Sequence, residues 1–104
     1  MTLAELKKML DGTGFPVTYS HFNNPQTPPF ICYLVDGSAN LMADNKVYHK
    51  IYDVTIDLYT TKKDLVAEAK LETLLDTHEI PWDSDEVFIE SESLFQKIYE
   101  VRLI

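Results

Sequence analysis

Hydrophobic and polar residues change period twice within one stretch of this chain. From Tyr52, the residues Tyr52, Val54, Ile56 and Leu58 alternate with Asp53, Thr55, Asp57 and Tyr59, the period of two that buries one side of a strand. Residues 61–77 then move to helical spacing. Leu65, Ala69, Leu71, Leu74 and Leu75 form an apolar stripe expected to face the sheet, and Asp64, Glu68 and Glu72 lie along the other side. Thr61 is the expected cap of this helix, with Asp64 at the third position after it. At the start of the chain Thr2 and Glu5 have the form of a capping box. Leu3, Leu6 and Leu10 follow at helical spacing until Gly12 and Gly14 stop the run, which predicts a helix over 3–11.

The remaining pattern supplies strands and turns. Residues 15–19 read as a brief strand, with Pro16 placing it at a sheet edge or strand start, where a missing N–H does little harm. Asn23, Asn24, Pro25, Pro28 and Pro29 make 20–29 a loop. The almost wholly apolar run 30–35 predicts a central strand, and Asp36-Gly37-Ser38 a turn or bulge after it. Residues 40–42 reverse through Ala43-Asp44-Asn45-Lys46 into a strand over 47–60, which would extend about 46 Å at ~3.3 Å per residue, so part of it is expected to project. Ile51 and Tyr52 are adjacent apolar residues that break the alternation, predicting a division there between a projecting tip and a buried base. Ile80-Pro81-Trp82 ends the second helix. Strands are then expected over 86–92, with Val87 and Ile89 on one face, and over 96–104, where Tyr99, Val101 and Leu103 alternate with Glu100 and Arg102. The pattern predicts a single α+β domain over 1–104: a largely antiparallel sheet of about 4–5 strands, two helices on one face and a projecting long β-hairpin.

Composition narrows the function classes. Apolar residues are 45% and charged residues 25% of the chain, the balance of a folded protein rather than a disordered one. Nine basic against seventeen acidic residues leave a net charge of −8, which opposes binding to a phosphate backbone. Asp83, Asp85, Glu86, Glu90 and Glu92 lie together without a base and read as a solvated loop and strand edge. The single cysteine, Cys32, sits among Phe30, Ile31, Tyr33 and Leu34, where it is expected to be buried as a small apolar residue. It has no partner for an intramolecular disulfide and no companions for a cysteine zinc site. No signal-type segment and no apolar run near ~20 residues is present, so a reducing cytoplasm is the expected compartment and no membrane partner is expected.

Catalytic patterns find no support. His49, Asp53 and Asp57 share a strand face, yet four residues of strand place neighbours about 13 Å apart, too far for one ion. Asp64, Glu68 and Glu72 read as solvated helix surface. Asp83-Ser84-Asp85-Glu86 lacks the glycine and spaced acids of a calcium loop, and Gly12-Thr13-Gly14 falls far short of a phosphate loop. No enzyme activity, cofactor or metal is expected. Among the aromatics, Tyr52 and Tyr59 read as partly buried strand residues. Tyr48, with Leu41, Met42 and Val47 near the expected hairpin tip, is hard to bury within one small domain and points to a partner.

The short first helix, the Tyr33-Leu34 strand, Ala43-Asp44-Asn45-Lys46-Val47-Tyr48, the run Val54-Thr55-Ile56-Asp57-Leu58-Tyr59-Thr60 entering a helix with Glu68 and Leu71, and Tyr99-Glu100 near the end together resemble the small tail-completion or tail-terminator proteins of long-tailed bacteriophages and prophages. The resemblance spans most of the chain. It implies an α+β subunit that forms a ring, commonly a hexamer, at the head-proximal end of the tail, assembled in the bacterial cytoplasm and carried in the virion. The ring ends tail-tube polymerisation and meets the head-tail connector, with DNA passing through unbound. The implied partners are further copies of the chain, the tail-tube protein and the connector. The expected subunit-interface residues are Leu41, Met42, Asp44, Asn45, Lys46, Val47 and Tyr48. The rival expectations are a head-completion or adaptor protein at the portal, and a small non-catalytic ligand-binding or regulatory domain using the acidic 83–92 segment.

Overall fold

The alternating residues that follow Ile51 form the middle of a sheet. The computed structural model describes residues 1–38, 40–43 and 46–104. The elements are α1 (Leu3–Asp11), β1 (Val17–Tyr19), β2 (Phe30–Ser38), β3 (Leu41–Ala43), β4 (Lys46–His49), β5 (Tyr52–Thr60), α2 (Leu65–Thr77), β6 (Trp82–Ile89) and β7 (Leu94–Leu103). Five strands form one mixed sheet in the order β1-β2-β5-β7-β6, with β1 parallel to β2 and every other pair antiparallel. The architecture is α+β, as the pattern predicts, and β5 lies at its centre.

Register explains which side of the sheet is core. Tyr33, Ile56 and Tyr99 stand opposite one another, as do Val35, Val54 and Val101, and residues in such rows point to the same face. That face meets Leu6, Met9 and Leu10 of α1 and Ala67, Leu71 and Leu75 of α2 in one cluster of buried side chains. Tyr99, Leu71, Ile56 and Leu6 have no exposed surface. The helix α1 has the predicted bounds, and its capping box is complete: the Glu5 N–H donates to Thr2 Oγ1 and the Thr2 N–H to Glu5 Oε1, each at 3.1 Å. The Thr2 N–H first, and the Thr2 side chain second, hold the Glu5 carboxyl below its ordinary value. After the helix, Gly14 takes φ of 82°, a conformation that glycine adopts without steric cost.

Four expectations change. The strand expected over 47–60 is two strands, β4 and β5, parted at Lys50 and Ile51 where the alternation breaks. Ile51 is buried and its N–H donates to Asn40 Oδ1 at 3.0 Å, which ties the base of the β3–β4 pair. The bulge expected near Asp36 is present as a register shift between Val35 and Gly37. The strand β2 continues past it to Ser38. The second helix begins later than expected. Asp64 and not Thr61 is its N-cap, accepting the Ala67 N–H at 3.0 Å, and Glu68 rather than Leu65 or Ala69 faces inward. Finally, β6 starts at Trp82, four residues before the expected 86. The Trp82 ring packs edge-on against Tyr99 at 5.3 Å and its indole N–H donates to Asp76 at 3.0 Å.

Candidate functional site: assembly surfaces

The interface residues expected from the sequence fall on a small separate ladder. The strands β3 and β4 pair antiparallel outside the five-stranded sheet, with Met42 opposite Val47 and Ala43 opposite Lys46. Leu41 and Met42 belong to β3, and Lys46, Val47 and Tyr48 to β4. Lys46 is exposed. Asp44 and Asn45 lie outside the described residues. The pairing part of the expected hairpin is therefore present.

The inward side of α2 is more polar than helical spacing predicts. Glu68 is buried against β7 and β6 because two ammonium groups neutralise it: Lys63 Nζ at 2.9 Å and Lys97 Nζ at 3.4 Å. Lys63 also reaches Glu86 at 2.8 Å, and hydrogen bonds to Glu86 and then Glu68 raise its pKa. One helical turn on, Glu72 accepts the Tyr99 hydroxyl at 2.7 Å. Burial first, and the Glu72 bond second, push the Tyr99 phenol upward. A buried carboxylate is tolerated only with such partners. This cluster pins α2 to the β6–β7 pair, and its acids are occupied by structural contacts.

Turning that side inward sends apolar residues out. Leu65 is 69% and Val66 70% exposed; with exposed Ala69 and Thr73 they form a ridge along α2, bordered by a shallow groove that Gly12 and Leu74 also line. Two further exposed apolar residues lie where β6 turns into β7, on opposite faces of the sheet. There Val87 is 47% and Phe88 48% exposed, and Phe88 packs against Phe95 with ring centroids 4.9 Å apart. The turn itself is Glu90-Ser91-Glu92-Ser93, all exposed. None of these residues figures in the sequence expectation for an interface. The signal that was available is α2's lack of a clean polar side, with Leu65, Val66, Ala67 and Ala69 apolar nearly all round, together with the adjacent triplet Val87-Phe88-Ile89.

The helix-free face of the sheet carries Cys32, Asp53 and Asp57. Cys32, Asp57, Ile98 and Asp85 stand in one cross-strand row. Burial raises the Asp57 carboxyl above its ordinary value, with Gln96 opposing and Asp36 adding to the rise. Burial and then Asp57 push the Cys32 thiol from 9.0 up to about 11, so it stays protonated and unreactive near neutrality. Phe30 and Tyr59 stack at 4.9 Å beside them, and burial takes the Tyr59 phenol to about 12. Asp53 is paired with Arg102 at 2.8 Å. The acidic 83–92 run is split by the pleat: Asp83 and Asp85 lie on the helix-free face and Glu86 on the other, toward Lys63. Among the described residues no group of three or more histidine, cysteine or acidic side chains is arranged to hold a metal ion, and no helix is long and apolar enough to cross a membrane. No family model matches the chain, and no curated protein matches it.

Proposed function

We propose that this chain is a structural assembly subunit of the tail-completion or tail-terminator kind that its strand-to-helix pattern resembles. It joins copies of itself into a ring, most simply a hexamer, at the head-proximal end of a phage or prophage tail. The ring ends tube growth and presents a surface to the head connector. The observation that carries the assembly part is the exposure of apolar side chains on two separate elements, α2 and the β6–β7 turn, of a subunit whose core is already closed by both helices. Contiguous exposed apolar surface marks contact sites. The β3–β4 pair, expected from the sequence pattern to project, would add a third surface in reach of a neighbour, and the net charge of −8 suits a ring through which DNA slides without sticking.

Electron microscopy of the purified protein with growing tail tubes tests this. The expected outcome is rings at one tube end and tubes of limited length. Tubes of unlimited length with no density at their ends contradict it. Binding to portal protein in place of tail tube would reassign the chain to the adaptor role.

A further inference from the structure

The long loop between β1 and β2 borders a cavity of about 450 Å³ on the helix-free side of the sheet, together with Phe30 and Cys32 of β2, Tyr59 of β5 and Glu92. Three half-buried rings line it. Phe30 and Tyr59, cross-strand partners, stack with centroids 4.9 Å apart, and Phe22 from the loop meets Phe30 at 5.6 Å and nearly a right angle. The charged groups here are acids. Glu92 is exposed in the lining, and Asp57 stands beside it, two residues before Tyr59 on the same face of β5 and opposite Cys32. Beyond burial, the charge of Asp57, and further down that of Glu92, adds to the rise of the Tyr59 phenol, which fits both carboxylates lying near that ring. No lysine or arginine lines the cavity, and neither acid forms an ion pair among the described residues. His21 is the one basic side chain in the lining, exposed and with its Nδ1 3.1 Å from Ser20 Oγ. Glu68, buried on the other face, has two ammonium groups against it; half-buried Asp57 has only the Gln96 amide to favour its charged form.

We propose that this cavity, lined by Phe22, Phe30 and Tyr59 and edged by Glu92 and Asp57, is a binding site for an alkylammonium group, carried by a lysine side chain of a partner or by a small quaternary amine. Ring faces attract a cation held within about 6 Å of their centres, most strongly where water is partly excluded. The two carboxylates add charge of the complementary sign, and Asp57, being half-buried, is screened less than a surface acid. An incoming ammonium group would supply the counter-charge that Asp57 lacks within its own chain. An anion is opposed by both acids. A neutral sugar would use the rings and the loop amides of Asn23, Asn24 and Gln26, but would leave the carboxylates uncompensated. The site stands apart from the assembly reading above, since it uses neither α2 nor the exposed apolar residues of the β6–β7 turn.

Titration of the full chain followed by backbone amide NMR tests this with four probes: the methylamide of N-acetyl-lysine, choline, the neutral choline isostere 3,3-dimethylbutan-1-ol, and methyl glucoside. The expected result is saturable shifts at residues 22, 30, 59 and 92 with a cationic probe, and binding at least about tenfold weaker for the neutral isostere. The tighter of the two cations identifies the source, a partner's lysine side chain or a small quaternary amine. Glu92→Gln, at an exposed position, should weaken the cation at least about threefold with an unchanged melting temperature. Phe22→Leu keeps an apolar side chain, removes the ring and should weaken it further. Equal binding of choline and its neutral isostere, preference for methyl glucoside, or no saturable shift with either cation overturns the proposal. So does cation binding that both substitutions leave unchanged. None of these results bears on whether the chain forms rings.

Discussion

The two antiparallel pairs β3–β4 and β6–β7 look alike in the sequence, each a short reversal between alternating residues, but the fold holds them differently. β7 lies inside the sheet between β5 and β6, and its Tyr99, Val101 and Leu103 are buried in the core. β6 is fastened by Trp82 to α2 and by Glu86 to Lys63. β3 and β4 form their own ladder of three and four residues, tied at the base by the Asn40–Ile51 hydrogen bond. The β6–β7 pair, with exposed Phe88 at its turn, is thus rooted in the sheet. A rooted turn holds its side chains in place, so a contact made through it loses little ordering entropy.

Substitutions should separate the two pairs by size of effect. Tyr99→Ala, at the root of β7, is expected to destabilise the fold by about 3–5 kcal/mol in urea titration, the range for emptying a large buried aromatic site. Tyr99→Phe keeps the ring and loses only the bond to Glu72, for about 1 kcal/mol. If both substitutions cost less than about 0.5 kcal/mol, β7 is not the anchor described.

Glu68→Ala should come next, at about 1–3 kcal/mol, because it leaves Lys97 facing α2 without its carboxylate. The outward Lys63 keeps Glu86 and is less affected.

A smaller and opposite effect is expected at Asp57 on the helix-free face. Its carboxyl is raised by burial, so the folded state prefers it protonated. The stability this confers is full below the unfolded carboxylate value and is lost as pH rises through the raised folded value. Asp57→Asn should therefore raise the melting temperature near neutrality, and its advantage over the natural chain should shrink as the solution is acidified. An advantage that grows on acidification contradicts the assignment.

The smallest effect on stability is expected at Lys46, exposed on β4. Lys46→Glu should leave stability within about 0.5 kcal/mol and act on assembly alone. Loss of fold there would erase the distinction between the two pairs.

Much of the frame was legible from periodicity. The bounds of α1, the alternation of β5, the bulge after Val35 and the break at Ile51 all follow from local residue order, because each depends on residues near in sequence. The orientation of α2 was not legible. Asp64, Glu68 and Glu72 are spaced as a solvated side, yet Lys97, distant in sequence, makes Glu68 acceptable inside, and Tyr99 does the same for Glu72. The start of β6 was hidden for a related reason. Asp83-Ser84-Asp85 reads as a polar turn, but an outermost strand tolerates such residues once Trp82 is held by Asp76. The exposure of Val66 and Phe88 follows from these two facts, so it could not be read from local residue order in the way that Leu41, Met42 and residues 44–48 were expected to form an interface.

Sedimentation equilibrium of the natural chain over a range of concentrations bears most directly on the claim that this is a ring-forming subunit. The predicted result is a mass that rises from the 12.0 kDa monomer and levels at one fixed multiple, as a closed ring requires. A mass that stays at 12.0 kDa throughout, with no recruitment to tail-tube protein, would contradict it.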